Sequence, residues 1–288
     1  MDWTVLKLIT WTETYFARHG IDSPRLTAEI LLGFTLGIRR LDLYLQHDRP
    51  LEKRELDRFK AVIQRRKNRE PVAYITGEKG FFESSFLVGP GVLIPRPDTE
   101  TLVTETLDLL AKEPGRPRTI LELGVGSGAI VVSLAKVGPQ HLFFAGDISS
   151  AALEAARKNA RRAGVENIHF FQGSWSAPLR AGPFFDIIVS NPPYIPPGQI
   201  ADLAPEIKNH EPVIALDGGN DGLACIRQIL ESAWNCLVPG GDLLLEMGFD
   251  QKAGVAAAAR AFPGYDTISF VKDLAGHDRV AHFKKKID

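Results

Sequence analysis

The sequence lacks an excess of charge of either sign. Lysine and arginine number 34, and aspartate and glutamate 35, among 288 residues, so the formal net charge is -1. A chain with this balance has no overall field that would attract a nucleic acid or an anionic membrane. We therefore expect neither direct binding of nucleic acid nor membrane association, and any contact with a polyanion would have to be local.

The sequence also lacks a long apolar run. Its most apolar stretch, residues 120–135, is interrupted by Glu122 and by several glycine and serine residues, which makes it a poor bilayer span. The amino terminus carries an acidic residue at Asp2 and no basic cluster followed by an apolar core, unlike a signal peptide. These features predict a cytoplasmic protein.

Cysteine is scarce, with two residues in the whole chain. Cys225 and Cys236 lie eleven residues apart in a predicted helix, which places them about three turns apart on one face. A disulfide between them is excluded if that helix is continuous, and two thiols without paired histidines do not make a zinc site. We expect core cysteines and no bound metal.

Three regions follow one another along the chain. Residues 1–70 alternate amphipathic helix patterns with short breaks, which predicts a small helical domain; we expect this domain to dock the substrate. In residues 71–95 glycines and prolines interrupt apolar and aromatic pieces, which predicts a hairpin linker. Residues 96–288 alternate strand and helix patterns, as is typical of a parallel sheet covered on both faces.

The third region carries the strands of one sheet. We predict them at residues 119–123, 141–146, 169–172, 186–190, 242–246, 267–271 and 279–283. The segment between the last two strands is too short for a helix, so these two should pair antiparallel at one edge. The sequence therefore predicts an α/β fold with a mostly parallel, Rossmann-like sheet.

A glycine-rich stretch, LELGVGSG, ends the first of these strands. Glycines let the backbone turn tightly and approach a ligand, and the following helix points its amino terminus at that ligand. Asp147 ends the second strand 23 residues after Gly124, the usual place for a carboxylate that accepts hydrogen bonds from ribose. The predicted cofactor-binding residues here are Gly124, Val125, Gly126, Ser127, Gly128 and Asp147.

These two features leave the cofactor open. Gly124, Gly126 and Ala129 also satisfy the dinucleotide fingerprint, so NAD and S-adenosylmethionine are both compatible. Two simpler interpretations remain as well: a tight turn without a ligand, and an Asp147 that caps the following helix together with Ser149.

The stretch SNPPY ends the fourth strand, because prolines cannot donate to a sheet ladder. In an open parallel sheet this end faces the glycine loop. The oxygen of the Asn191 side chain, the carbonyl of Pro192 and the ring of Tyr194 could hold a planar nitrogen group such as a carboxamide or a base amine. These three are the predicted catalytic residues, and Pro193 completes the predicted substrate site; a surface turn is the simpler interpretation.

Two sets of motifs carry a family resemblance. LELGVGSG, GDIS and SNPPYI resemble class I S-adenosylmethionine-dependent methyltransferases. GFFESSFLVGPGVLIPRPDTE, HEPVIALDGGNDGL and DLAGHDRV resemble the HemK-like release factor glutamine methyltransferases, and the likeness runs from about residue 71 to 283. The resemblance implies S-adenosylmethionine as cofactor and N5-methylation of the glutamine in the Gly-Gly-Gln motif of class I peptide chain release factors.

The resemblance also implies roles for further residues. It places a cofactor-contacting tryptophan on Trp175, a second contact to the cofactor on Asn191, and the substrate amide site on residues 191–194. Two positions depart from the family: Val125 stands where threonine is common, and Ser174 where an acidic residue is usual. Trp175 could equally be a packing residue.

Other functions remain open at this point. An adenine N6-methyltransferase could use the same turn, although such enzymes usually need a basic channel. A glutamine methyltransferase of a ribosomal protein would share the chemistry, and a non-catalytic adaptor could bind the donor alone. An NAD-dependent oxidoreductase lacks an evident acid or base after the second strand.

Two charged segments have competing interpretations. In IPRPDTE, the charged residues Arg96, Asp98 and Glu100 could form salt bridges, with Asp98 or Thr99 capping a helix, or could line the site near the methyl donor. The basic run over residues 53–69 is either a solvated helix face or a docking surface for a protein.

Overall fold

The computed structural model describes residues 3–180, 182–262 and 264–287. The chain forms two compact units: a helical unit of Met1–Glu78 with Ala204–His210, and a sheet unit of Lys79–Leu203 with Glu211–Asp288. The domain limits at residues 70 and 95 stay a prediction. Within the described ranges, no helix combines the length and the apolar character needed to cross a membrane.

The helical unit is built from amphipathic helices around one apolar core. Its first five helices are α1 Val5–Arg18, α2 Pro24–Leu36, α3 Arg40–Leu45, α4 Lys53–Lys67 and α5 Val72–Thr76. Helix α1 starts where the Thr4 side chain accepts a hydrogen bond from the backbone N–H of Lys7, and α2 ends at Gly37, whose φ is 68°. The apolar faces of α1, α2 and α4 contribute Phe16, Leu31 and Phe59 to this core, each at most 1% exposed.

The rest of the chain alternates strands and helices. In order it contains β1 Glu78–Phe81, β2 Ser84–Leu87, α6 Glu100–Ala111, β3 Thr119–Leu123, α7 Ala129–Val137, β4 Leu142–Asp147, α8 Ser150–Ala163, β5 Ile168–Gln172, β6 Phe185–Ser190, α9 Pro197–Ile200, α10 Pro205–Lys208, α11 Ala224–Cys236, β7 Leu237–Glu246, α12 Lys252–Arg260, β8 Tyr265–Lys272 and β9 Asp278–Lys285. Strands β1 and β2 form a small sheet of their own.

The main sheet confirms the predicted fold class. Among the described residues it has seven strands in the order β5-β4-β3-β6-β7-β9-β8. The first five run parallel, and β9 pairs antiparallel with both β7 and β8. Strands β3 and β6 are neighbours although the chain visits β4 and β5 between them, so their carboxyl ends flank the switch point where ligands bind in such sheets.

Strand β7 is longer than predicted. It begins at Leu237 instead of residue 242, and its pairing with β6 shifts register between Phe185 and Ile187. Pro239 and the two glycines after it suggest a break in the sequence, but a bulge accommodates them within the strand. The carboxyl end of β7, which matters for the site, is as predicted.

Part of the basic run in α4 is neutralised inside the helical unit. Arg66 and Arg69 both pair with Glu206 of α10, with Nη–Oε1 distances of 2.8 and 3.3 Å. Arg65 pairs with Glu70 at 2.6 Å. These ion pairs hold α10 to the helical unit, so the carboxyl-terminal part of the run is not simply a solvated face.

Candidate active site

Three adjacent strand ends form one side of a cavity of about 540 Å³ in the sheet unit. Strands β4, β3 and β6 lie side by side, and Asp147, Gly124 and Asn191 stand at or just after their carboxyl ends. A cavity of this volume suits a ligand of cofactor size. The predicted site residues in its wall are Gly124, Gly126, Asp147, Trp175, Asn191 and Pro193.

The glycines of the loop after β3 serve different purposes. Gly124, Gly126 and Gly128 have φ values of 78°, 53° and 81°, in the left-handed region that other residues rarely adopt. A Cβ at Gly128 would lie 3.1 Å from the Cα of Ala156 in α8, whereas a Cβ at Gly126 would meet no atom within 4 Å. Gly128 is therefore needed for helix packing, and Gly126 leaves open space beside the cavity.

Val125 and Ser127 are buried and lie outside the wall of the large cavity. Both line a smaller cavity of about 50 Å³ together with Glu122 and Asn191. The Ser127 carbonyl accepts a hydrogen bond of 2.8 Å from Nδ2 of Asn159, a buried residue of α8 that sequence reasoning missed. Its place on the apolar face of α8 was the feature of the sequence that could have indicated a buried, hydrogen-bonded asparagine.

Asp147 joins β4 to the glycine loop. Its Oδ2 accepts from the N–H of Gly126 and its Oδ1 from the N–H of Ser149, each at 2.9 Å. Ser149 itself caps α8 by accepting from the N–H of Ala152 at 3.3 Å. Burial raises the pKa of Asp147, and these backbone N–H groups oppose the rise. Each oxygen keeps lone pairs for a ligand hydroxyl.

Trp175 stands in the cavity wall in an uncommon backbone conformation. Its φ is 48°, and its Nε1 donates to Oε1 of Gln228 at 2.7 Å. A Cβ at Gly124 would lie 3.9 Å from its ring, so the ring packs over the glycine loop. Left-handed backbone at a residue other than glycine costs about 1–2 kcal/mol and is concentrated at functional sites.

One wall of the cavity was not predicted from the sequence. It comprises the segment 212–215, with Leu93 from the segment before α6. Glu211 holds these two segments together, since its Oε2 accepts from the N–H of Ile94 at 3.0 Å and its Oε1 pairs with Arg96 at 2.5 Å. The glutamate in HEPV was the only indication of this wall in the sequence, but the N–H that it binds, that of Ile94, lies more than a hundred residues away.

The capping interpretation of IPRPDTE is correct in position only. Thr99 is the N-cap residue of α6, but its side chain makes no hydrogen bond to the helix. Asp98 pairs with Nη2 of Arg279 at 3.2 Å, and Glu100 accepts from the N–H of Phe82 at 2.9 Å. The expectation of salt bridges in this segment is confirmed, and their partners are distant in the sequence.

The acceptor turn, Asn191 to Tyr194, is held at its start by Thr99. Asn191 donates Nδ2–H to Oγ1 of Thr99 at 3.1 Å, and among the described residues its Oδ1 makes no hydrogen bond. Ser190 donates to the Leu123 carbonyl at 2.6 Å, which ties the end of β6 to β3. An amide oxygen without an internal partner is thereby presented beside the switch point.

The other end of the turn is tightly packed. Pro192 is buried. Tyr194 lies outside the cavity wall, and its Oη donates to Oε1 of Glu246 at 3.3 Å. Its carbonyl accepts from Nε2 of Gln251 at 2.8 Å, and a Cβ at Gly222 would lie 2.4 Å from that carbonyl oxygen. The glycines of LDGGNDGL thus permit close packing against the turn, and the substrate roles of Pro192 and Tyr194 stay predictions.

Glu246, at the end of β7, was also missed. It is 1% exposed, and burial raises its pKa to about 7, against the opposing effects of Thr99, Arg279 and Tyr194. Its Oε2 is buried without a hydrogen-bond partner among the described residues. Its place at the end of an apolar strand was the feature of the sequence that could have indicated a buried carboxyl group near the site.

One of the two cysteines, Cys225, is in the wall of the large cavity. Both are on α11 as free thiols, Cys236 buried and Cys225 partly so. Within the described part of the chain, no three histidine, cysteine, aspartate or glutamate side chains are grouped as metal ligands would be.

Known proteins with similar sequences identify the family. A family model described as PrmC N-terminal domain matches residues 7–77, and one described as methyltransferase domain matches residues 116–246. A release factor glutamine methyltransferase of Geobacter sulfurreducens is 40% identical over 278 residues, which cover 96% of this chain and 95% of that protein. The chain belongs to the release factor glutamine methyltransferase family. The family protein of Moorella thermoacetica is 42% identical over 264 residues, covering 91% of this chain and 92% of that one.

Solved structures agree on the fold. The T. thermophilus 16S rRNA methyltransferase RsmC, solved with AdoMet and guanosine, aligns with a TM-score of 0.51 at 20% identity, over 73% of this chain and 50% of that one. Similarity at this level of identity concerns the fold alone. It supports the class I methyltransferase architecture of the sheet unit.

Proposed function

We propose that this protein transfers a methyl group from S-adenosylmethionine to the side-chain amide nitrogen, N5, of the glutamine in the Gly-Gly-Gln motif of class I peptide chain release factors. The observation that carries the proposal is the position of Asn191, which is in the wall of the same cavity as Gly126 and Asp147. Relatives that cover nearly the whole chain are named for glutamine methylation of release factors.

The residues of the cavity fit S-adenosylmethionine. The volume of about 540 Å³ is in the range of cofactor sites, Gly126 leaves open space beside it, and Asp147 offers acceptors for ribose hydroxyl groups. Trp175 and the apolar segment 212–215 offer surfaces for the adenine ring. When bound, this cofactor supplies an electrophilic methyl group on a sulfonium sulfur.

Asn191 and Pro192 would prepare the nucleophile. The lone pair of an amide nitrogen is delocalised into its carbonyl, so the amide reacts poorly unless it is oriented. Asn191 Oδ1 and the Pro192 carbonyl can accept the two N–H groups of the glutamine and turn the nitrogen toward the methyl carbon. Fixed alignment of this kind can lower a barrier by about 7–11 kcal/mol in favourable cases. As the N–C bond forms, the S–CH3 bond of the donor would break and leave its electron pair on sulfur as a neutral thioether. The nitrogen would release one proton, which becomes acidic as the bond forms.

The helical unit would dock the protein substrate. The family model for the PrmC N-terminal domain covers most of this unit, and the amino-terminal half of the basic run in α4, including Lys53, Arg54 and Arg58, is exposed. The predictions of a cytoplasmic location and of no direct nucleic-acid binding belong to this proposal. A substrate that is itself a cytoplasmic protein requires neither a membrane nor a nucleic-acid surface.

The decisive assay compares acceptors. The protein is incubated with labelled S-adenosylmethionine and, separately, with a class I release factor, DNA or ribosomal proteins, and the label is located by mass spectrometry. A release factor whose Gly-Gly-Gln glutamine is changed to alanine is the control. Label on the glutamine of the intact motif supports the proposal, whereas label on a purine or on a ribosomal protein alone would refute it.

A further inference from the structure

One residue in the wall of the large cavity has an unfavourable backbone conformation. Trp175 has the left-handed φ of 48°, and its half-buried ring packs over Gly124. Such a conformation persists in a residue with a large side chain only where the surrounding structure enforces it. The contacts of Trp175 therefore determine the shape of this part of the cavity.

The loop that carries Trp175 begins directly after β5. At its start the N–H of Gly173 donates to the Asp147 carbonyl at 3.0 Å, and two turn hydrogen bonds lie within residues 174–179. These turns act inside the loop, so they do not by themselves fix where the ring lies in the cavity wall. A contact with another element has to do so.

Helix α11 supplies that contact. The indole Nε1–H of Trp175 donates to Oε1 of Gln228 at 2.7 Å, the distance of a well-formed hydrogen bond. Trp175 also packs against the apolar cluster that contains Ile226 and Ile229 of the same helix. Cys225, three residues before Gln228 and so on about the same face, is itself in the cavity wall. Helix α11 thus contributes one residue to the wall and holds another.

The hydrogen bond is the main contribution of Gln228. An indole N–H has one proton to donate and no lone pair to accept with, so a single acceptor satisfies it. Gln228 is exposed, and replacing it therefore leaves no cavity in the core. What a substitution removes is the acceptor for the Trp175 indole.

We propose that Gln228 is a positioning residue that fixes the Trp175 indole in the cavity wall and thereby sets the surface on which the adenine ring of S-adenosylmethionine lies. With its N–H held, the indole keeps one orientation and the adenine meets a preformed surface. Without the acceptor the indole has to be ordered each time the donor binds, which lowers the affinity. The inference rests on the proposed function in taking S-adenosylmethionine as the ligand of this cavity.

The first test observes Trp175 directly and needs no release factor. The chain has four tryptophans, so a ¹H–¹⁵N spectrum contains four indole N–H signals, and Trp175→Phe assigns the one from Trp175. Gln228→Leu should shift this signal and accelerate its exchange with solvent. Gln228→Glu, which keeps an oxygen acceptor, should return the signal toward its wild-type position.

The matched control for this test is Asn235→Leu, which removes an amide from another exposed position of α11. It should leave the Trp175 signal unchanged. The other three indole signals should stay in place in Gln228→Leu, which shows that the fold is intact. An unmoved Trp175 signal in Gln228→Leu would overturn the proposal whether or not release factors are the substrate.

The second test measures donor affinity by calorimetry in a double-mutant cycle. Gln228→Leu should weaken the binding of S-adenosylmethionine about three- to tenfold, the effect of one hydrogen bond, and Gln228→Glu should restore most of it. Trp175→Phe keeps an aromatic ring but has no N–H, so Gln228→Leu should cause no further loss in that variant. Additive losses would show that Gln228 acts by another route and would overturn the proposal.

Kinetics of methyl transfer to a release factor complete the test. The KM for S-adenosylmethionine should rise in Gln228→Leu by the same factor as the loss of affinity, and kcat should stay within about twofold of wild type, because the adenine ring is bound equally before and during the reaction. A fall in kcat with an unchanged KM would contradict the inference. Wild-type protein that transfers no methyl group to a release factor, with the donor affinities as expected, would refute the proposed function and still support the role of Gln228.

Discussion

The two halves of the site are built in different ways. On the donor side, main-chain groups of the glycine loop lie beside the side chains of Asp147 and Trp175, and Asp147 is held by the N–H of Gly126 at 2.9 Å. On the acceptor side, side chains hold side chains: Thr99 binds Asn191 at 3.1 Å, and the hydroxyl of Tyr194 binds a buried carboxylate. The donor half therefore depends on backbone conformation, whereas the acceptor half depends on individual hydroxyl, amide and carboxyl groups.

This difference teaches which changes each half tolerates. A side chain added to the glycine loop occupies space and strains a left-handed backbone, so it should affect donor binding first. A single polar group removed from the acceptor half leaves the backbone intact and should affect the reaction of the bound substrate. Four predictions test or sharpen this contrast.

The largest effect should come from Asn191→Ala. Loss of the acceptor oxygen should lower kcat/KM about 10²–10³-fold, as removal of one preorganised polar group does elsewhere, while donor affinity changes little. Methyl transfer and calorimetric titration with S-adenosylmethionine measure the two quantities. Asn235→Ala, at an exposed asparagine of α11, should match wild type in both. A loss of donor affinity as large as the loss of activity would mean that the halves are not separate.

Gly126→Val should act on the donor side. The side chain would enter the open space at the loop, where φ is 53°, and displace part of the cofactor, weakening donor affinity about 10- to 100-fold for a clash of about 1–3 kcal/mol. Gly164→Val is the matched control, because Gly164 has a φ of 70° and no atom within 4 Å of a Cβ. It should lose stability to a similar degree and keep its donor affinity. Equal losses of affinity in both variants would point to general unfolding.

Asp147→Asn should have a smaller effect on the same side. The carboxylate accepts one N–H group with each oxygen, whereas the amide has only one oxygen. The loop therefore loses one hydrogen bond, worth about 1–1.5 kcal/mol. Donor affinity should fall about tenfold, measured by calorimetry, with Asp266→Asn at an exposed aspartate as control. An unchanged affinity would show that Asp147 serves only to shape the loop.

The last prediction concerns the dependence of stability on pH. Burial raises the pKa of Glu246 to about 7, so its contribution to stability is fully present below the pKa of the unfolded chain and is lost as the pH rises through 7. The free energy of unfolding should therefore decrease between about pH 5 and pH 8, by about 1–3 kcal/mol from this residue. Glu246→Gln should flatten the slope but not remove it, because burial also raises the pKa of Asp147 and Glu122. Denaturant unfolding at the two pH values measures this, and an unchanged slope in the variant would contradict it.

The fold could be predicted because its signals repeat along the chain. Alternating apolar runs and amphipathic helices determine the parallel strands, and the short connection before β9 determines the antiparallel edge. The bulge in β7 could not be predicted, since Pro239 and its glycines indicate a break unless the neighbouring strand is known to accommodate them. Strand β7 was therefore placed too short at its start.

The donor half of the candidate site was equally accessible from the sequence. Gly126 and Asp147, which touch each other, are 21 positions apart, and their spacing follows from one strand–helix–strand unit. Thr99 and Asn191 are 92 positions apart, and Glu211 and Ile94 are 117 apart. No local pattern relates such residues, so the hydrogen bonds that hold the acceptor half could not be predicted from the sequence.

The sequence by itself determined which chemical group follows each strand of the site: glycines after one strand, a carboxylate after the next and an amide turn after a third. Tertiary structure decided that Thr99 holds the amide, that Glu211 closes a cavity wall and that Glu246 is buried beside the turn. The physical reason is range. Backbone turns and helix caps are settled among near neighbours in the chain, whereas hydrogen bonds between buried side chains exist only after the sheet has brought distant segments together.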